Sequence, residues 1–504
     1  MATNEILRGL MINPERLKDL ATEAKEFALQ HGVLFRTNET PNSSEDFFPP
    51  NGAWPWPSTL DDAVLVTEFR QGIVATYAPF TLFPSPVPKA VFHQALAVQT
   101  HFNTLVDKIS QDPGFLEEAL ASTIQADDFT AKLLGIYRQV QHEGRTQSIM
   151  MGVNRSDYML DQREDRTSSL KQIEINTIAA GGFGVADHLP VVHRHILRLA
   201  GLLEESQCVP DNNSTAGIVR ALAKAWELYG QQKAAIMFLV EDVQFFIYSH
   251  RHVDSELWKR GIPVIRRKFE DVLKAGFLDR NKKLFLDGLE VAVVFYRYGY
   301  MPNHYKEKTW EARLLMERSL AVKCPDIGTH LAGTKKVQQE LARPGVLERF
   351  FPDQPQVVEQ IRATFAGQYT LDMGPEGDQT VAMGLAKPDE FVLKPQREGG
   401  GNNFFGEDIV RMLEEVKGDK RRAAYILMDR IRPKVEHNVL LRRGLPLQLS
   451  SVCYEIGVLG AYVRHGGEMV LNEVAGQILR TKSIEHGDGG ICSGVSVFDS
   501  PLIY

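Results

Sequence analysis

The run FVLKPQREGGGNNFFGED, from Phe391 to Asp408, sets a lysine and an acid before three consecutive glycines. Lys394 sits in an apolar stretch of strand length, so its ammonium is a fixed positive charge at a strand end. Gly399, Gly400 and Gly401 let backbone N–H groups approach an anion closely. Glu398 repels a phosphate but can ligate a Mg²⁺ that bridges phosphates. Lysine, acid and glycines together suit a nucleoside triphosphate, although the GxxxxGK[ST] loop is absent. Taken alone, the stretch fits a mobile surface loop equally well.

Further candidates lie elsewhere. In QIEINT, alternate strand residues share a face. Glu174 and Asn176 then present two oxygen ligands together, and Ile173 and Ile175 face a core. Hard oxygen donors suit Mg²⁺, but a solvated strand face gives the same pattern. ILRTKSIEHGDGG carries Arg480, Lys482 and Asp488, a basic pair before a glycine-rich loop. That suits an anion, and also an exposed strand end. Arg155, in NRSDY, says little by spacing alone.

These groups need elements to position them. Asn13 can cap a helix that Pro14 opens and Gly32 ends, with Leu17, Leu20, Ala21, Ala24 and Phe27 on its buried face. PPNGAWPWPS, from Pro49 to Ser58, is a loop by its turn formers. A second helical region covers Val87 to Leu105, and more helix follows to about Val140. From Lys233 the pattern changes. AAIMFLV reads as a buried strand, HVDSELWKRG as a helix and IPVIRR as another strand. KLFLDGLEVAVVFYR reads as a hairpin about Asp287 and Gly288. Strand, helix, strand with continuous apolar strands predicts a parallel sheet covered on both faces. This places an α/β domain at 233–333. Beyond 334, helices precede strands in FVLKP, AAYILMDRI, LSSVCYEIGVLGAYVR and EMVLNEVAGQILRTK.

Bulk composition narrows the classes. A net charge of −7 argues against a nucleic-acid binder, which usually carries a basic domain. Four cysteines without a CxxC pair argue against a disulfide framework or zinc site and for a reducing, cytoplasmic setting. No apolar run is long enough for a membrane helix, and the first residues do not read as a signal peptide.

Read together, GVNRSDYML, KQIEINTI, GTKKVQQELARPG, FVLKPQREGGGNN, YILMDRI and LRTKSIEHGDGG resemble the eukaryotic glutathione synthetase family of ATP-grasp ligases. The resemblance runs from about Arg16 to Phe498. It implies an α+β and α/β architecture. An ATP-grasp main body, 1–232 and 334–504 with a lid at about 390–410, would carry an inserted parallel α/β substrate-binding domain. It also implies ATP and Mg²⁺, a dipeptide-like donor, a glycine-like acceptor, an acyl phosphate and a homodimer.

By the same resemblance Glu174, Asn176 and Glu398 match metal ligands, and Lys335 and Lys394 match lysines on the phosphates. The loop from Glu398 through Gly399, Gly400, Gly401 and Asn402 to Asn403 matches the lid. Met428, Asp429, Arg430 and Ile431 match the adenine-reading strand. Glu455 matches the acid on the ribose side, and Lys482 and Asp488 match further nucleotide contacts. Arg155 and Arg480 match the catalytic arginines near the reacting carboxylate and incoming glycine. Arg297, Tyr300, Ile491 and Cys492 match substrate-contacting positions.

Several positions depart from the family pattern. Ala179 and Gly181 replace two serines. Where the family has Glu-Arg-Asn and then Gln, this chain has Gln244, Phe245, Phe246 and His250. Phe405 replaces a tyrosine. Losing two charge-assisted hydrogen bonds, each about 1.5–3 kcal/mol, lowers donor affinity by about 10²–10⁴. The expectation is therefore an intact ATP machinery beside a rebuilt, less charged donor pocket. A short alignment slip that brings Glu241 into the acidic position is an alternative. So are a ligase for a different donor, a divergent synthetase-like paralogue such as those of plant-parasitic nematodes, and a nucleotide-binding interaction protein without ligase activity. An insertion spanning Asp46 to Thr76, with aromatics in AWPWP, fits a partner patch or a packed surface excursion.

Overall fold

Asn13 caps the first helix, α1 (Pro14–Gln30), its side chain accepting the Arg16 N–H at 3.1 Å. The structure is a computed structural model that describes residues 13–38, 68–69, 73–162, 168–202, 208–491 and 493–504. Leu17, Leu20, Ala21 and Ala24 are buried as the spacing predicts. Phe27 is only half-buried and lies flat against the His195 ring, centroids 4.0 Å apart. The chain then forms β1 (Leu34–Asn38), β2 (Ile73–Tyr77) and β3 (Phe80–Thr81), with β1 and β2 antiparallel. The PPNGAWPWPS loop and most of the insertion lie outside the described residues.

Next come α2 (Lys89–Ser110) and α3 (Asp128–Glu143), then the long hairpin β4 (Ile149–Gln162) and β5 (Ser168–Asn176). Its register slips once, pairing Asp157 with Glu174 but Tyr158 with Gln172. Ile173 is the extra residue of this bulge. It therefore lines a cleft instead of facing the core as strict alternation predicts, while Ile175 is buried. Two helices follow, α4 (Phe183–Ala200) and α5 (Ser214–Tyr229).

The middle of the chain forms β6 (Ala235–Leu239), α6 (Ile247–Lys259), β7 (Val264–Arg267), α7 (Phe269–Ala275), β8 (Gly276–Leu278), β9 (Leu284–Leu286), β10 (Leu289–Tyr296), α8 (Thr309–Arg318) and β11 (Val322–Cys324). Strand β6 runs parallel to β7 and β10, and β10 parallel to β11. The sheet is mixed, since β8 and β9 extend it antiparallel. The β9–β10 turn holds Asp287 at φ 51° and Gly288 at φ 80°, the paired left-handed conformation of a tight hairpin. One face, with Ile236, Phe238, Val293 and Phe295, joins the core of α4 and α5. The other, with Met237, Leu239, Val294 and Tyr296, packs on Phe269, Ala312 and Met316 of α7 and α8. This two-sided burial explains the unbroken apolar runs. Removing a ring such as Phe238, which has no exposed surface, would destabilise the fold by about 3–5 kcal/mol.

The remainder forms α9 (Lys335–Leu341), β12 (Gln368–Thr370), β13 (Phe391–Pro395), α10 (Glu407–Val416), β14 (Tyr425–Asp429), β15 (Glu436–Leu441), β16 (Leu449–His465), β17 (Glu468–Ser483) and β18 (Val497–Asp499). Strands β12, β14 and β13 make a small antiparallel sheet in that order. The large sheet runs β15-β3-β18-β17-β16-β4-β5. Among the described residues no helix is long and apolar enough to cross a membrane.

Candidate active site

A cleft of about 340 Å³ opens between the small sheet and the large one. Its apolar walls come from Met159, Ile173, Val392, Met428 and Ile431, which suit a flat heterocycle. Asp429, Arg430, Phe405 and Asn403 line its outer part. Lys394, Glu455, Lys482 and Asp488 bring charge to its inner end. The Arg430 guanidinium lies 5.6 Å from the Phe405 ring centroid, a cation–π distance.

At that inner end Lys335, the first residue of α9, bridges two acids. Its Nζ is 3.2 Å from Glu174 Oε2 and 3.0 Å from Glu398 Oε1. The carboxylates come from β5 and from the loop after β13, so the lysine ties the two sheets together. Burial pushes the Glu398 carboxyl up to about 7, against the pull of Lys335. Burial acts on Glu174 too, but Lys335, Lys394 and Arg480 hold it well below the usual carboxylate range. Lys394 donates to the Ile173 carbonyl at 2.8 Å, so the bulge also anchors this lysine. Burial lowers the Lys394 ammonium, with Glu174 opposing.

A second ionic chain sits beside the first. Arg155 donates twice to Asp157, at 2.7 and 2.9 Å. Arg480 reaches Asp157 and Glu455, each at 2.7 Å. Asp157 is fully buried and is the hub of this chain. Gly457, opposite it on β16, makes room: a Cβ there would lie 2.9 Å from Asp157 Oδ1. Asn176 donates Nδ2 to Asp157 at 2.9 Å, which leaves its carbonyl oxygen for another partner. The Arg-Ser-Asp alternation in NRSDY puts Arg155 and Asp157 on one face of β4, a signal the spacing of Arg155 alone does not convey. Glu174, Glu398 and Asn176 together are hard oxygen donors that fit Mg²⁺ completed by phosphate oxygens and water. Among the described residues no three His, Cys, Asp or Glu side chains form a metal cage on their own.

The glycine-rich loop is held down. Asp488 accepts the Gly401 and Asn403 N–H groups at 2.8 and 3.1 Å, and Asn402 donates to the Gly399 carbonyl at 2.7 Å. Gly400 packs against the Gly489–Gly490 backbone so closely that an added Cβ would collide with the Gly489 carbonyl. Lys482 donates to the Gly487 carbonyl at 2.6 Å. The loop is thus a strap between two chain segments, not a free surface excursion.

A second cleft, of about 380 Å³, is lined on one side by Glu398, Gly399, Gly400 and Asn402 of the strap. Arg155, Asn176, Arg480, Ala179, Gly181, Ile491 and Tyr300 all line it. Cys492 lies outside the described residues. From the middle sheet come Gln244, Phe245, Phe246, His250 and Arg297, and also Glu241. Gln244 is occupied: its Oε1 accepts Arg266 at 2.8 Å. Phe246 stands edge-on to Phe35, centroids 5.0 Å apart, and to Phe498 at 6.2 Å, so much of its ring serves packing. The Phe245 carbonyl accepts the Arg36 N–H at 3.2 Å. His250 lies between two guanidinium groups, with Nε2 3.2 Å from Arg297 and Nδ1 3.2 Å from Arg266. Burial and these two charges push its pKa far down, so the ring is neutral. A neutral ring accepts at one nitrogen only, so the tautomer decides which of the two contacts is a hydrogen bond. Arg297 also donates to the Ala179 carbonyl at 3.1 Å. A Cβ on Gly181 would lie 3.4 Å from Arg297 Nη2, an ordinary contact, so Gly181 stands beside this guanidinium without crowding it. Burial lowers the Arg297 and Arg266 guanidinium groups to about 10. The cleft thus carries the guanidinium groups of Arg155, Arg297 and Arg480 beside the uncharged Gln244, Phe245 and Phe246.

The family model described as eukaryotic glutathione synthase, ATP binding domain, matches residues 14–503. The glutathione synthetase of Xenopus laevis is 51% identical over 487 residues, covering 97% of each chain. That of Bos taurus is 49% identical over 493 residues, 98% of each. That of Homo sapiens is 48% identical over 501 residues, 99% of each. Among solved structures, a glutathione synthetase-like effector of Globodera pallida in apo form aligns with a TM-score of 0.73 at 24% identity, covering 98% of both chains.

Proposed function

This chain belongs to the eukaryotic glutathione synthetase family, and from that premise we propose how its residues divide the work. It is an ATP- and Mg²⁺-dependent C–N ligase that joins γ-glutamylcysteine to glycine. The observation that carries the residue assignment is Lys335, shared by Glu174 of β5 and Glu398 of the loop after β13.

The cleft between the sheets takes the nucleotide, with adenine against Met428 to Ile431 and the triphosphate toward Lys335, Lys394 and Lys482. Glu174, Asn176 and Glu398 would hold Mg²⁺, which neutralises phosphate oxygens when bound. The strap from Glu398 to Asn403 covers the phosphates and excludes water. The second cleft takes the donor with its cysteinyl carboxylate toward Arg155 and Arg480. That carboxylate attacks the γ-phosphorus of ATP and ADP leaves, giving an acyl phosphate; the glycine amine then attacks the acyl carbon, loses a proton, and expels inorganic phosphate. The reacting groups are anionic, so the protein's part is positioning and charge neutralisation.

The main body would be an ATP-grasp unit, 1–232 and 334–504, and 233–333 the substrate-binding domain. The chain would act as a cytoplasmic homodimer. At 244–246 the donor is held differently from the family pattern: Gln244 is engaged by Arg266, and Phe246 offers no amide. An assay of ADP release tests the reading. ADP should appear only when γ-glutamylcysteine and glycine are both present. ADP release that does not depend on glycine, or none with any combination, would overturn it.

A further inference from the structure

The donor cleft contains one acid that nothing else uses. Glu241 lies two residues beyond the end of β6, and Arg297 lies one residue beyond the end of β10. These strands are parallel neighbours, with Leu239 opposite Tyr296. Both side chains therefore emerge at the carboxyl edge of the parallel strands, where α/β sheets bind their ligands, and both line the cleft. The adjacent acid, Asp242, is spent on a surface pair with Lys268 at 2.5 Å. Among the described residues no group donates a hydrogen bond to Glu241. Gln244 is a poor substitute: its oxygen faces Arg266, which leaves only N–H donors for an incoming ammonium.

We propose that Glu241 is the residue of this chain that binds the donor's α-ammonium, while Arg297 receives the neighbouring α-carboxylate. The inference rests on the ligase reading above and deepens it. It makes the site specific for a zwitterionic γ-linked amino-acid head, read by one acid and one guanidinium. Burial raises the Glu241 carboxyl to about 7, with Arg297 drawing it back. A half-buried acid in that condition gains strongly from a cation brought within reach. In place of the missing acid at 244, the donor is held by an acid one turn of chain earlier.

The test uses the full chain at saturating MgATP and glycine, with two donors. One is γ-glutamylcysteine; the other is glutarylcysteine, identical except that the ammonium is absent. The unmodified chain should favour γ-glutamylcysteine in kcat/KM by about 10- to 100-fold, the size of a charge-assisted contact. Glu241→Gln should lose that preference through the KM for γ-glutamylcysteine, leaving glutarylcysteine turnover and the KM for ATP unchanged. Glu241→Asp should recover part of it. Equal losses on both donors, or an unchanged preference, would overturn the assignment. No ADP release from the unmodified chain with either donor would overturn the ligase reading and this inference with it.

Discussion

The two clefts solve the problem of buried charge in opposite ways. Toward the nucleotide end the buried charges are paired: Lys335 with Glu174 and Glu398, Glu455 with Arg480 of the donor cleft, Lys394 with the Ile173 carbonyl. At the donor end the balance is uneven. Arg266 and Arg297 crowd a neutral His250, and among the described residues no group donates to Glu241. A paired array is rigid and costs little to keep desolvated; an unpaired acid is a site waiting for its ligand. The first end fixes the energetics of the reaction, and the second selects what is joined.

The largest expected effect comes from breaking the paired end. Glu398→Ala removes a metal ligand and one of the two partners of Lys335. The kcat for ADP release should fall by about 10³-fold, as for loss of a principal electrostatic group. A fall under tenfold would show that the array is structural. Gly400→Ala forces the strap off Gly489 and should lower kcat about 10²-fold, the scale of an ångström-sized misplacement. Its circular dichroism melt should stay close to that of the parent, because the contact is local.

The donor end should respond more mildly and through KM. Gln244→Glu restores an acid at the family position, but Arg266 would neutralise it. Its KM for γ-glutamylcysteine should stay within about threefold of the parent. A tenfold improvement would place the ammonium at 244 and sink the contrast between the ends. Phe405→Tyr adds back one hydroxyl at the rim of the nucleotide cleft. The KM for ATP should move by about twofold or less, the worth of an exposed hydrogen bond.

Much of the paired end could be read from the sequence because short strings carry it. FVLKP became a strand with the expected bounds, and EINT placed Glu174 and Asn176 beside Asp157 and Lys335. The exceptions have local causes. Ile173 turned toward the cleft because a bulge breaks the alternation that predicts a core position. Asp157 lies within GVNRSDYML, yet nothing in that string marks it as a hub. Its role as hub depends on Arg480, which is more than 300 residues away and paired to it at 2.7 Å. The donor end was harder for the same reason. The sequence shows that 244–246 differ from the family, but not that Arg266 from β7 occupies Gln244 or that Phe35 and Phe498 occupy Phe246. The middle sheet was expected to be parallel, and its antiparallel edge follows from the Asp287–Gly288 hairpin.

The central claim is that the donor's cysteinyl carboxylate crosses from one cleft to attack phosphate in the other. Isotope transfer reads this step directly. γ-Glutamylcysteine carrying ¹⁸O in the cysteinyl carboxylate is turned over with ATP, Mg²⁺ and glycine, and the released phosphate is analysed by mass spectrometry. An acyl phosphate requires one labelled oxygen to pass into phosphate for each peptide bond formed. Product formed with unlabelled phosphate would contradict the account.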